Sequence, residues 1–167
     1  MKIVVAPLHE VQAAIRDWRP SHLISLGSPG SVAPDAQGIE HLSLTFHDIV
    51  EPRAGLQPVT ADQVATLLDF ARGWSGRTPL LIHCWAGVSR SPAAAYAIAC
   101  RIAGPGAAVE LARRLRACAP FATPNARLVA LADEHLGAQG AMRRAIRDID
   151  RGAEAATGAT FTLDTIS

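Results

Sequence analysis

The chain has 167 residues, 49% of them hydrophobic and 19% charged, with 16 Lys+Arg against 15 Asp+Glu for a formal net charge of +1. That length suits one domain whose core needs no metal or disulfide staple. The near-neutral balance excludes a general affinity for nucleic acid or for an acidic membrane, so any preference for anions must be local to a site.

Residues 2–6 read as a first short strand, and Val11, Ala14, Ile15 and Trp18 fall at helical spacing within an amphipathic helix over 9–18. His22–Leu26 is a second strand ending at the turn cluster Gly27-Ser28-Pro29-Gly30, with irregular chain to about Gly38. Ile39–Phe46 alternates as a third strand and delivers the loop His47-Asp48-Ile49-Val50-Glu51-Pro52 at its carboxyl end. Thr60 caps a helix over 60–74, with Val64, Leu67, Leu68, Phe70 and Ala71 toward the core.

Pro79–Ile82 is a short apolar run that reads as a buried fourth strand, and Ser91–Ala103 is an Ala-rich helix. Gly104-Pro105-Gly106 stops that helix, and further helices are expected over 107–118, 125–136 and 139–150. Residues 1–150 thus form a single domain. The remainder, 151–167, is small and polar apart from Phe161 and Leu163, and is expected to be a loosely docked or disordered tail. The order of elements predicts an α/β fold with a central, mostly parallel four- or five-stranded sheet flanked by helices. Ligands of such sheets bind beyond the carboxyl ends of the strands.

Alanine makes up roughly a fifth of the chain, a bias that hints at a GC-rich bacterial genome. No run approaches the length of a membrane-spanning helix. The three cysteines, Cys84, Cys100 and Cys118, are odd in number and not spaced as metal pairs, and Met1–Pro7 is too short for the apolar core of a signal peptide. A reduced, cytoplasmic protein with no metal and no cofactor follows as the expectation. Cys100 and Cys118 read as structural.

The richest stretch is His83-Cys84-Trp85-Ala86-Gly87-Val88-Ser89-Arg90-Ser91, a loop from a strand end to a helix start with Cys84 and Arg90 at its two ends. A helix N-terminus offers unpaired N–H groups and partial positive charge, and successive loop amides from Trp85 to Ser89 can curl into an anion-binding nest. Gly87 relaxes the curl, and Arg90 adds a planar fork for two phosphate oxygens. A thiolate is the nucleophile that such a position favours. Ser91 is placed both to cap the helix and to donate a hydrogen bond toward the Cys84 sulfur. His83 precedes the nucleophile on a strand, where neighbours point to opposite faces, so it reads as a loop organiser rather than a base.

Departure of an alkoxide or phenoxide calls for an acid. Asp48 is the first candidate because it sits at a strand's carboxyl end on the same sheet edge as Cys84, and Glu51 is second. His47 and Asp62 rank lower, Asp62 lying in the first turn of a helix where a carboxylate is favoured anyway.

These residues resemble the cysteine-dependent protein tyrosine phosphatases, and within them the dual-specificity branch and small bacterial tyrosine-phosphatase-like proteins. The match rests on His-Cys-x-x-Gly-x-Ser-Arg-Ser at residues 83–91 and on Pro124-Asn125 followed by Leu128 and Leu131, and it spans roughly residues 1–136. The resemblance implies that Cys84 attacks phosphorus, that Arg90 and the loop amides hold the transition state, that Asp48 serves first as acid and then as base, and that Asn125 braces the loop. It also implies a phosphorylated protein or a small phosphomonoester as substrate. The loop interior carries Trp85, Ala86 and Val88 and no lysine, unlike the phosphoinositide 3-phosphatase branch, and the chain lacks the Asn-Arg-Tyr phosphotyrosine-recognition segment of the classical enzymes. Two other readings stay open: a phosphate-binding module with vestigial catalysis, and a rhodanese-like sulfurtransferase. The sequence leaves the oligomeric state undetermined.

Overall fold

The structure is a computed structural model that describes residues 1–165. Strands β1 (Lys2–Pro7), β2 (His22–Gly27) and β4 (Leu80–Cys84) are apolar runs buried along almost their whole length, as expected of parallel strands covered on both faces. With β3 (Glu40–Thr45) and β5 (Phe161–Asp164) they form one sheet in the order β3-β2-β4-β1-β5. All neighbours are parallel except β1 and β5.

The pleat sorts the side chains. Ile3, Val5, Ile24, Leu26, Leu80 and Ile82 face the larger core, together with helices α2 (Ala61–Gly73), α3 (Arg90–Ala103), α4 (Ala108–Cys118), α5 (Ala126–His135) and α6 (Ala141–Asp148). Val4, Ala6, Leu23 and Leu81 face the other way, onto α1 (Val11–Trp18). Every residue of α3 from Arg90 to Cys100 is buried, so the five alanines at 93, 94, 95, 97 and 99 have a packing role. Small side chains let a good helix former run through the middle of the molecule, close to the sheet and to neighbouring helices. Among the described residues, no helix is long and apolar enough to cross a membrane.

Three expectations need correction. The helix start after the nucleophile is Arg90 rather than Ser91, and its N-cap residue is Ser89, whose side chain makes no capping bond. Ser91 is therefore a buried residue of the first turn, not the cap. Asn125 lies just outside its helix and caps it, accepting from the Leu128 N–H at 3.0 Å. Phe70 packs against the core as expected, half-buried and edge-on to His22 at 5.4 Å between ring centroids.

The third correction concerns the tail. Residues 161–164 pair antiparallel with β1, Phe161 opposite Val5 and Leu163 opposite Ile3, and both apolar side chains are buried. The segment covers what would be an open edge of a parallel sheet. Phe161-Thr162-Leu163-Asp164 does alternate apolar and polar, but over the shortest run that marks a strand. Ile166 and Ser167 lie outside the described residues.

Candidate active site

The loop from Cys84 to Arg90 is suspended from three other segments by four hydrogen bonds to its carbonyl groups. Trp85 O accepts from Leu8 N at 3.1 Å, Ala86 O from Gly158 N at 2.8 Å, Val88 O from Thr123 N at 2.8 Å and Ser89 O from Asn125 N at 3.2 Å. In a planar trans peptide the carbonyl and the following N–H point in opposite directions. Tying these four oxygens outward therefore turns the N–H groups of Ala86, Gly87, Ser89 and Arg90 to the inside of the curl, the arrangement of an anion nest. Gly87 has φ +70°, and a Cβ there would lie 3.0 Å from Pro7 N, so both backbone conformation and the approach of β1 require glycine.

Cys84 ends β4 and is 3% exposed. Its Sγ lies 3.1 Å from Ser91 Oγ. Arg90, 4% exposed, is fixed from one side: Nη1 donates to Ser28 Oγ and to Phe46 O, each at 3.0 Å, and the guanidinium carbon stands 5.9 Å from the centroid of the Phe46 ring. Its Nε is buried without a hydrogen-bond partner in the protein, and Asp48 Oδ2 stands 3.9 Å from it. An unpaired buried donor is costly, about 1–3 kcal/mol, so a guanidinium held in this way is suited to an oxyanion on its free edge.

Asp48 is brought to this loop from the end of β3. Its Oδ1 accepts from Ser89 Oγ and from Asn125 Nδ2, both at 2.8 Å. One oxygen is thereby anchored while Oδ2 faces Arg90. Asn125 joins three parts at once: its N–H holds Ser89 O, its amide holds Asp48, and its carbonyl caps α5. The other acid candidates are placed elsewhere. Glu51 is exposed, and Asp62 sits in the first turn of α2. His47 Nδ1 accepts from Gln57 N at 2.9 Å, which closes the loop that carries Asp48.

His83 points away from the sulfur, as the strand alternation requires. Its Nε2 is 2.6 Å from Ser25 Oγ, which in turn is 2.8 Å from His41 Nε2, so β4, β2 and β3 are cross-linked beneath the loop. Burial pushes the His83 imidazole down from 6.5 to about 4, opposed by a contact with the Cys84 backbone. The unfolded chain takes up a proton on falling below pH 6.5 that the folded chain refuses until about pH 4. The stability owed to neutral His83 is therefore complete above that window and is lost as pH falls through it, on the order of 3 kcal/mol in all. Urea unfolding at about pH 7 and about pH 4.5 should show a smaller acid loss in His83→Gln than in the parent protein; equal losses would refute the assignment.

Sequence reasoning missed Ser25, Ser28, His41, Thr123 and Gly158, all supports of the loop from distant segments. Only pairing of strands and the path of the tail bring them there, and no local motif marks them. Cys100 is wholly buried, its thiol pushed up to about 12 by burial. Cys118 is half-buried, also raised by burial, with Sγ 3.5 Å from Leu115 O. All three cysteines are free. Among the described residues no group of three or more His, Cys, Asp or Glu is arranged to hold a metal.

No protein-family model matches this sequence, and no curated protein matches it. The fold has close structural parallels. The crystal structure of DUSP15 superposes with a TM-score of 0.63 at 21% identity, covering 92% of this chain and 94% of that one. PTPMT1 in complex with PI(5)P gives 0.57 at 16% identity, covering 87% and 92%. The Yvh1 phosphatase domain from Chaetomium thermophilum gives 0.50 at 17% identity, covering 87% and 88%. The chain therefore has the fold of the cysteine-dependent tyrosine phosphatases, in the form found in their dual-specificity members.

Proposed function

We propose that this protein is a phosphomonoester hydrolase, a protein-tyrosine or dual-specificity phosphatase working through a phosphocysteine on Cys84. The observation that carries the reading is the loop itself: a sulfur and a guanidinium at its two ends, with its carbonyls tied outward and its amides turned in. In the first step the Cys84 thiolate attacks phosphorus. The inward amides and the free edge of Arg90 take the equatorial oxygens as charge develops on them. Asp48 gives its proton to the departing oxygen, and Ser91 donates to the sulfur so that it leaves readily in the second step. In that step Asp48 acts as base and draws a proton from the water that attacks the phosphocysteine.

Substrate size follows from the rim. Trp85 is 68% exposed beside the loop and, with Leu8 and Val32, lines the cleft that leads to Cys84 and Arg90. These side chains suit an aryl group carrying one phosphate. The loop has no lysine to meet a second phosphate. A complex with PI(5)P belongs to PTPMT1; the lysine-free loop of this chain favours a phosphorylated protein or small aryl phosphate. Three free thiols, one of them the nucleophile, fit a reducing, cytoplasmic setting.

Turnover of an aryl phosphate tests the proposal. The parent protein should release phosphate continuously and Cys84→Ser should release none above background. Equal rates would remove Cys84 from the chemistry. Binding of phosphopeptide without turnover would support the vestigial module instead, and transfer of sulfur from thiosulfate the sulfurtransferase.

A further inference from the structure

Helix α6 carries Arg143 and Arg147 four residues apart, and Arg151 follows at the same spacing just past its end. The three line one groove, of about 520 Å³, whose floor is Pro124, Val129 and Ile146. All three arginines are exposed, and among the described residues none of their guanidinium groups makes an ion pair or hydrogen bond. Asp150 is the one acid lining the groove, so three positive groups stand against one negative.

The row is presented rigidly. The buried Asp133 carboxylate of α5 accepts from the N–H groups of Gly140 at 2.6 Å, Met142 at 2.8 Å and Arg143 at 3.3 Å, which pins the start of α6. Arg116 of α4 holds the other end through Ile149 O and Asp150 O, at 3.3 and 2.7 Å. The groove is also continuous with the phosphatase loop. Thr123, in its wall, donates its N–H to Val88 O, and Gly152, next to Arg151, donates to Thr123 Oγ1 at 3.1 Å. Thr123 thus joins the wall of the groove to the outer side of the loop.

Resting on the phosphatase reading above, we propose that this groove docks an acidic stretch of the phosphoprotein substrate that flanks its phosphorylated residue. Three unpaired guanidinium groups, two on a fixed helix and one just past its end, match a run of Glu or Asp carboxylates, and the apolar floor takes the stems of the same side chains. Contacts of this exposed kind amount together to a preference on the order of tenfold, reduced by salt.

The test uses phosphotyrosine peptides with Glu runs before the phosphotyrosine, after it, or replaced by neutral residues. Turnover is measured for the parent protein and for the triple variant Arg143→Gln, Arg147→Gln, Arg151→Gln. The parent should favour one acidic peptide about tenfold in kcat/KM, chiefly through KM. The variant should lose that preference while its aryl phosphate turnover is unchanged. No preference in the parent, or one that persists in the variant, overturns docking. Binding of the same peptides to Cys84→Ser, with and without the three arginine changes, separates this outcome from failure of the hydrolase reading. An arginine-dependent acidic preference in binding without any turnover in the parent upholds the groove and refutes the hydrolase. Nucleic acid or anionic vesicles held through these arginines, with no peptide preference, would also overturn the proposal.

Discussion

Arg90→Lys should lower kcat/KM for an aryl phosphate by about 10²–10³ or more, the range typical of losing a donor aimed at developing charge. The reason is geometric. Nη1 is spent on Ser28 Oγ and Phe46 O, leaving the rest of the planar fork for the ligand. A lysine ammonium cannot occupy that anchor and also present two parallel N–H groups to phosphate oxygens. It would also leave Phe46 O unpaired or pull away from the loop, and the site is nearly closed to solvent, which penalises a compact ammonium more than a guanidinium. Steady-state kinetics beside a urea-unfolding curve would divide catalysis from folding. An Arg90→Lys variant with nearly the parent's kcat/KM and equal stability would show that the fork is not used.

The second large effect belongs to Asp48→Asn. Asparagine can still accept from Ser89 Oγ and Asn125 Nδ2, so the loop stays braced while the proton is removed. The rate of the first turnover should fall by about 10²–10⁴ for an alkyl phosphate, whose leaving group needs protonation, and far less for a nitrophenyl phosphate. The first turnover must be read by rapid quench, since the later hydrolysis calls on the same carboxylate. An equal fall for both substrates would assign Asp48 to holding Ser89 and Asn125 and leave the acid to be sought elsewhere.

The parts of this molecule that were legible in sequence are those in which local pattern and chemistry coincide. β4 is a short apolar run, α3 an alanine-rich helix, and the segment between them combines glycine, hydroxyls, Cys84 and Arg90 in a single short loop. Asp48 could be placed near them because parallel strands deliver their following loops to one edge of the sheet. The supports were not legible, since each depends on a long-range pairing. Ser25 and His41 meet His83 only through the register of β2 with β3 and β4, and Ser28 meets Arg90 only because the loop after β2 folds over the same edge. The tail misled because the alternation from Phe161 to Asp164 is as short as a strand signal can be and its partner β1 lies at the far end of the chain, and Gly158 has no feature in sequence that marks its bond to Ala86.

A phosphatase of this kind carries a covalent phosphoryl group on Cys84 between its two steps. The most direct measurement is acid quench of the protein during turnover of an aryl phosphate, followed by peptide mass analysis, with Asp48→Asn used to slow the second step. One phosphoryl group is expected on the peptide that contains Cys84 and none on those that contain Cys100 or Cys118. Phosphate release with an unmodified Cys84 peptide at every quench time would contradict it, as would a persulfide there in place of the phosphoryl group.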